Sequence, residues 1–211
     1  MRDKRQNIIK VRPTFSIICE GECELWYFQM LRRNERALNL HLKPEIPQKK
    51  KLKDQFELVK ENSNNYDKVY WIIDFDVVHN ESRETPKGKF SALNELKNYC
   101  NQLEVKHKNV RVIINNPCLE FWFLLHFEVT GKFFNSCDEA GTQFKKYLPD
   151  YEKTQKYFTQ NYDIYKKLKF NLNIAIENAK KLKSFTFENP NFALSEMFLL
   201  FEDAVIKEAI K

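Results

Sequence analysis

The sequence predicts an α/β protein: a mainly parallel sheet flanked by helices, followed by a C-terminal helical subdomain. Three observations lead there. First, the short runs TFSIIC at 14–19, KVYWIID at 68–74 and NVRVIIN at 109–115 are apolar and rich in β-branched residues, as expected of strands covered on both faces. Second, segments of helical spacing separate these runs, and such alternation favours parallel strands joined by helices. Third, beyond Gly131 the composition turns to Lys, Tyr, Phe and Asn with helical periodicity.

Taken in order, residues 1–13 are charged, end in Arg12-Pro13 and are expected to form a flexible arm. The first strand runs into Glu20-Gly21, a turn signal, and a helix then carries Leu25, Phe28 and Leu31 at helical spacing, with basic residues near its end. His41 to Ile46 suits a second strand, and a basic run of Lys49, Lys50, Lys51 and Lys53 leads into a helix around 55–62. KVYWIID is the clearest strand and stops at an acid. Val77 to Lys89 is mostly polar, contains Pro86 and Gly88, and reads as a loop before a helix around 91–103. After the strand ending at Asn115, Asn116 is expected to cap a helix with Pro117 at its first position. The closing segment SEMFLLFEDAVIKEAIK reads as one amphipathic helix with Ser195 as its cap. The expected division is an arm at 1–13, an α/β domain at 14–130 and a helical subdomain at 131–211 packed on the same core.

Composition narrows the function. Only 4 of 211 residues are Gly, which argues against Gly-rich phosphate loops, and no GxxxxGK[ST] motif is present. No apolar run approaches the roughly 20 residues needed to span a bilayer, and the opening MRDKRQNIIK has no apolar segment behind it, so a cytoplasmic protein without membrane contact is expected. The five Cys are an odd number without a CxxC pair or matching His spacing; they read as free buried thiols, not as a zinc site or disulfide framework. A net charge of +6 permits a polyanionic partner without requiring one.

The chemistry concentrates at strand ends. In α/β sheets ligands bind at the carboxyl ends of the strands, where Glu20, Asp74 and Asn115-Asn116 fall. Asp74 and Asp76, two apart, would share one face of an extended segment. Carboxylates gathered there repel one another unless a cation lies between them, and Mg²⁺ prefers such oxygen ligands. A DxD can also be a turn or a cap; the buried strand in front of this one favours a site. Trp26, Trp71 and Trp122 lie within apolar runs and are assigned to the core, as is His126. Lys49 to Lys51, Lys53, Arg83 and Lys87 are candidates for neutralising phosphates.

Three motifs, CEGECELWYF at 19–28, WIIDFD at 71–76 and NNPCLEFWFLLHFE at 115–128, resemble the RloB-like (AbiLii-type) proteins of the Toprim superfamily. Weaker similarity lies in AIENAKKL and around Asn189-Pro190. The resemblance implies a Toprim-like sheet in which Glu20 serves acid/base catalysis or metal binding while Asp74 and Asp76 bind Mg²⁺, with Mn²⁺ able to substitute. Cys23 stands where the family commonly has Thr, and Glu24 is retained after it. Glu120, the acid of the family's Asn-Pro-x-x-Glu motif, is read either as a further metal or water-orienting ligand or as an acid that favours its helix N-terminus. The catalytic set implied is Glu20, Glu24, Asp74, Asp76 and Glu120, with Glu20, Asp74, Asp76 and Glu120 as metal ligands. The function implied is cleavage of DNA or RNA phosphodiesters in an antiphage, abortive-infection setting, alongside an ABC/AAA-type ATPase, with a homo-oligomer possible. The alternative is a non-catalytic module whose metal is structural and which binds nucleic acid or the ATPase.

Overall fold

Parallel strands buried on both faces need helices on each side, and the chain supplies them in sequence. The computed structural model describes residues 12–35, 41–47, 51–188 and 190–210. The elements are β1 (Thr14–Ile18), α1 (Glu22–Asn34), β2 (His41–Glu45), α2 (Leu52–Ser63), β3 (Lys68–Asp74), α3 (Phe75–Glu84), α4 (Ala92–Lys106), β4 (Val110–Asn116) and α5 (Leu119–Leu124). There follow α6 (Cys137–Phe144), α7 (Gln155–Thr159), α8 (Ile164–Lys169), α9 (Leu172–Lys181), β5 (Leu194–Ser195), α10 (Phe198–Phe201) and α11 (Ala204–Ala209). The sheet order is β2-β1-β3-β4-β5, parallel except for the short antiparallel β5. The α/β class with a mainly parallel sheet is therefore as predicted. Most of the arm expected at 1–13 lies outside the described residues, as do Lys49, Lys50 and Asn189.

The two-residue period of the strands sorts their side chains into two cores. Phe15, Ile17, Tyr70, Ile72 and Ile113 face one way, where α1, α5 and the C-terminal helices supply Phe28, Leu31, Trp122, Phe158, Leu168 and Leu200. Ile18, Val69, Trp71, Ile73 and Ile114 face the other, against Phe56 and Val59 of α2, Val78 of α3 and Leu96 and Leu103 of α4. Full burial of one such aliphatic or aromatic side chain contributes about 1.5–3 kcal/mol. The single polar atom of the Trp71 side chain is satisfied as well: its Nε1 donates to Gln55 Oε1 at 2.8 Å.

Four local expectations are corrected. Residues 75–84 form α3, not a loop: Phe75 and Val78, one turn apart, are buried in the second core, and Ser82 Oγ accepts from Leu93 N at 2.8 Å, tying α3 to α4. In consequence Asp76 sits in the first turn of a helix and the DxD is not extended. Asn116 does not cap α5: it belongs to β4, its Nδ2 donates to Pro190 O and Phe192 O at 2.6 and 2.9 Å, and Cys118 is the N-cap residue after a cis Asn116-Pro117 bond. The closing segment is not one helix either. Ser195 joins β5 and donates to Asn115 Oδ1 at 2.7 Å, and Asp203 interrupts the run by capping α11 while accepting from Lys68 and from Tyr70.

Long-range polar ties then lock α1 to the C-terminal half. Asp163, fully buried, accepts from Arg33 Nη2 at 2.6 Å, Asn34 Nδ2 at 2.9 Å and, as the N-cap of α8, Lys166 N at 2.9 Å. Asp163→Ala removes a cap and charge-assisted hydrogen bonds together, so a loss of about 2–4 kcal/mol is expected, or roughly 5–15 °C in Tm. A thermal melt followed by circular dichroism checks it; an unchanged Tm would show that the tie contributes nothing.

Candidate metal and active site

The carboxyl ends of β1, β3 and β4 open onto a cleft of about 320 Å³, lined by Glu20, Gly21, Glu22, Cys23, Glu24, Asp74, Val77, Glu120, Cys137 and Lys153. Glu20 leaves the end of β1 in the turn before α1, and its carboxylate accepts from the Asp74 backbone N–H. Glu24 occupies the third position of α1, where its carboxylate reaches back to the Gly21 N–H in the manner of a capping box. Gly21 permits this approach: a Cβ there would stand 2.6 Å from Glu24 Oε2. Asp74 ends β3 beside its register partner Asn115, whose Nδ2 lies 3.5 Å from Asp74 Oδ1. Asp76 accepts from the backbone N–H groups of Val77 and Cys137.

These acids are packed closely enough to raise one another's affinity for protons. Burial is the largest cause for each, because it disfavours the charged form, and neighbouring carboxylates add to it. Glu20 is pushed up to about 8 by burial and then by Glu24, Asp76 and Glu81, against the lowering hydrogen bond from Asp74 N–H. Asp74 is raised well above the usual carboxylate range by burial, then by Glu24, Glu120, Glu20 and Asp76. Glu24 is raised too, and its side chain hydrogen-bonds Asp74. Burial and the neighbouring acids thus favour the protonated form of this pair.

Glu120, in the first turn of α5, is 2% exposed and closes the group. Its Oε1 accepts from Tyr151 Oη at 2.8 Å and pairs with Lys153 Nζ at 2.9 Å. Its Oε2 lies 2.9 Å from Cys118 Sγ and 2.8 Å from Cys137 Sγ. Those two sulfurs are bonded to each other, which corrects the expectation of free thiols throughout: the segment after α5 returns to place the N-terminus of α6 beside the start of α5, bringing the Cα atoms to 5.6 Å. Cys19, Cys23 and Cys100 remain free.

A family model described as RloB-like protein matches residues 15–203. The chain belongs to the RloB-like family. No curated protein and no solved structure matches it. In this RloB-like protein the matched span runs from β1 to Asp203 and so contains all five acids, the disulfide, Tyr151 and Lys153.

The five sequence-predicted acids gather at one end of the sheet without closing into a ready-made ligand set. Glu24, Asp74 and Glu120 raise one another, Glu20 and Asp76 flank Asp74, and Asp76 lies outside the cleft lining. Among the described residues no three of these carboxylates bring their oxygens within 4.8 Å of one another. Their oxygen donors are of the kind a hard divalent cation takes, and such a cation would relieve their mutual repulsion. The sulfurs of Cys118 and Cys137 lie with a Glu120 oxygen within 4.8 Å of one another; joined as a disulfide they are not thiolates and offer a metal little. His126 is a core residue as expected, 1% exposed, its Nδ1 3.0 Å from Trp122 O, and burial holds its pKa down to about 4. Trp71 and Trp122 are fully buried. Lys51, Lys53, Arg83 and Lys87 are exposed and do not line the cleft.

The sequence reading missed Lys153 and Tyr151. Both sit between α6 and α7, in a stretch read only as part of a helical appendage. Burial acts to lower the Lys153 pKa, and the Glu120 carboxylate more than offsets it, leaving the ammonium group firmly charged. The local signal was slight: a polar break, PDYEK, between two helical runs.

Proposed function

We propose that this RloB-like protein is a Mg²⁺-dependent nuclease of the Toprim type that cleaves DNA or RNA phosphodiesters, with Mn²⁺ able to substitute. The observation that supports it best is the Glu24–Asp74 carboxyl pair, Glu24 buried and Asp74 half-buried, with Glu20, Asp76 and Glu120 around it at the carboxyl ends of parallel strands. A protein gains no stability from such repulsion, so the cluster is kept for what it binds. Asp74, Asp76, Glu20 and Glu120 would hold the cation, whose chemistry is to activate water and stabilise charge on the phosphate. Glu20, in the turn at the end of β1, is placed to exchange a proton at its carboxylate with a water or substrate oxygen in the cleft. Lys153, with 40% of its side chain exposed in the cleft, supplies a positive charge for a phosphate oxygen.

The family resemblance supports an antiphage, abortive-infection role in partnership with an ABC/AAA-type ATPase. The absence of a phosphate-binding loop from the sequence agrees with that division of labour. A non-catalytic module is the second reading, favoured by the Lys153–Glu120 ion pair, which neutralises one acid without any metal.

The test incubates wild type and Asp76→Asn with plasmid, single-stranded DNA and total tRNA, in Mg²⁺, Mn²⁺ or EDTA, with and without the ATPase and ATP. Expected is EDTA-sensitive cutting of one substrate class, reduced at least about a hundredfold in the variant. If wild type cuts nothing under any of these conditions, the nuclease reading fails and the binding module replaces it.

A further inference from the structure

We infer that Cys118 and Cys137 are a reversible redox site whose thiol–disulfide exchange sets how strongly Glu120 binds the divalent cation; the inference rests on the metal reading above.

The two oxygens of Glu120 have different neighbours. Its Oε1 has two donors, Tyr151 Oη and Lys153 Nζ. Among the described residues the polar atoms found against Oε2 are the two sulfurs. A disulfide sulfur carries no proton to donate, so in the bonded state Oε2 is a buried carboxylate oxygen without a donor, ready for a cation. Reduction changes this. Each sulfur gains a proton beside the oxygen that both lie within 3 Å of in the bonded state, and the cation must then compete with an S–H donated to a charged acceptor. The bridge reaches a second acid too: the Cys137 backbone N–H donates to the Asp76 carboxylate, so the segment it anchors holds part of the metal set.

The pair is also built for exchange. Cys118 is fully buried, whereas Cys137 is half-buried, lines the cleft and lies 3.2 Å from Lys153 Nζ, so Cys137 Sγ is the sulfur an incoming partner reaches. The incoming partner is a low-molecular-weight disulfide such as oxidised glutathione. The Cys137 thiolate attacks one of its sulfurs, forming a mixed disulfide and releasing one glutathione thiolate. The Cys118 thiolate then attacks Cys137 Sγ, closing the protein disulfide and releasing the second. Two cysteine thiols are oxidised, one glutathione disulfide is reduced to two thiols, and the two protons leave on those thiols. Reduction runs the same steps backwards, entering at the accessible Cys137 Sγ.

The test poises wild type and Cys137→Ser in glutathione buffers from fully reducing to fully oxidising. Each sample is alkylated and mapped by mass spectrometry for the Cys118–Cys137 link, with Cys19, Cys23 and Cys100 as internal thiol controls, and is titrated with Mn²⁺ followed by electron paramagnetic resonance. Circular dichroism confirms that each sample is folded; Cys118→Ala, which also removes the link, replaces Cys137→Ser if that variant does not fold. Expected is a reversible link in wild type and a Mn²⁺ dissociation constant about tenfold weaker when it is reduced, the effect of one hydrogen bond to a charged group. The variant is expected to bind Mn²⁺ weakly and equally in every buffer. A link that never forms, or Mn²⁺ affinity that ignores it, overturns the inference and leaves the metal reading standing. No Mn²⁺ binding in either state overturns both.

Discussion

Asp74→Asn is expected to make the protein more stable and inactive at once. Asp74 is the most crowded of the five acids, raised by burial and by Glu24, Glu120, Glu20 and Asp76. An amide of the same shape removes a half-buried charge, keeps an oxygen acceptor for Asn115 Nδ2, and can donate to the Glu24 carboxylate. Relief of about 1–3 kcal/mol in the metal-free protein is expected, a rise of roughly 2–10 °C in Tm. The same change deletes a metal ligand, so metal-dependent cutting should fall at least about a hundredfold and metal-induced stabilisation should disappear. Melts with and without Mn²⁺, beside the cleavage assay, separate the effects. If Asp74→Asn melts lower than wild type, Asp74 is a structural residue and the repulsive cluster is not the feature that matters.

The metal-free protein should also lose stability as pH rises through neutrality, the reverse of the usual salt-bridged carboxylate. Glu20 has a folded pKa of about 8 against an ordinary value of 4.5, and Glu24 and Asp74 are raised in the same direction, each chiefly by burial. Between those two values the folded state binds more protons than the unfolded chain, so the derivative of unfolding free energy with pH is negative. The stabilising contribution is complete below about pH 4.5 and is lost as pH climbs to about 8, at up to about 1.4 kcal/mol per pH unit for each such carboxyl. Urea unfolding at pH 5, 6.5 and 8 is expected to lose about 3–4 kcal/mol over that range from Glu20 alone. Saturating Mn²⁺ should flatten the slope, because the cation replaces the protons, and its binding should release protons into a weak buffer. A pH-independent stability without metal would mean that these carboxyl groups are solvated and unstrained.

Much of this molecule was legible one residue at a time. The strands around Ile17, Ile72 and Ile113 announce themselves because burial on both faces demands an unbroken apolar run, and the ends of those runs fall on Glu20, Asp74 and Asn115. Glu24 and Glu120 were found through the motif resemblance and not through any periodicity. Elements governed by long-range partners were misread. Residues 75–84 look polar, yet two buried side chains on one face suffice for α3; Ser195 looks like a cap until Asn115 claims its hydroxyl.

What the sequence by itself determined is therefore the α/β class, the RloB-like motifs and the identity of the five acids, since each depends on local pattern. Tertiary structure alone decided that the acids lie close enough to repel one another, that Lys153 and Tyr151 hold Glu120, and that Cys118 meets Cys137. The physical reason is that these contacts join residues far apart in the chain. Their partners are chosen by how the segment after α5 folds back across the carboxyl ends of the strands, and neither periodicity nor motif spacing carries that information.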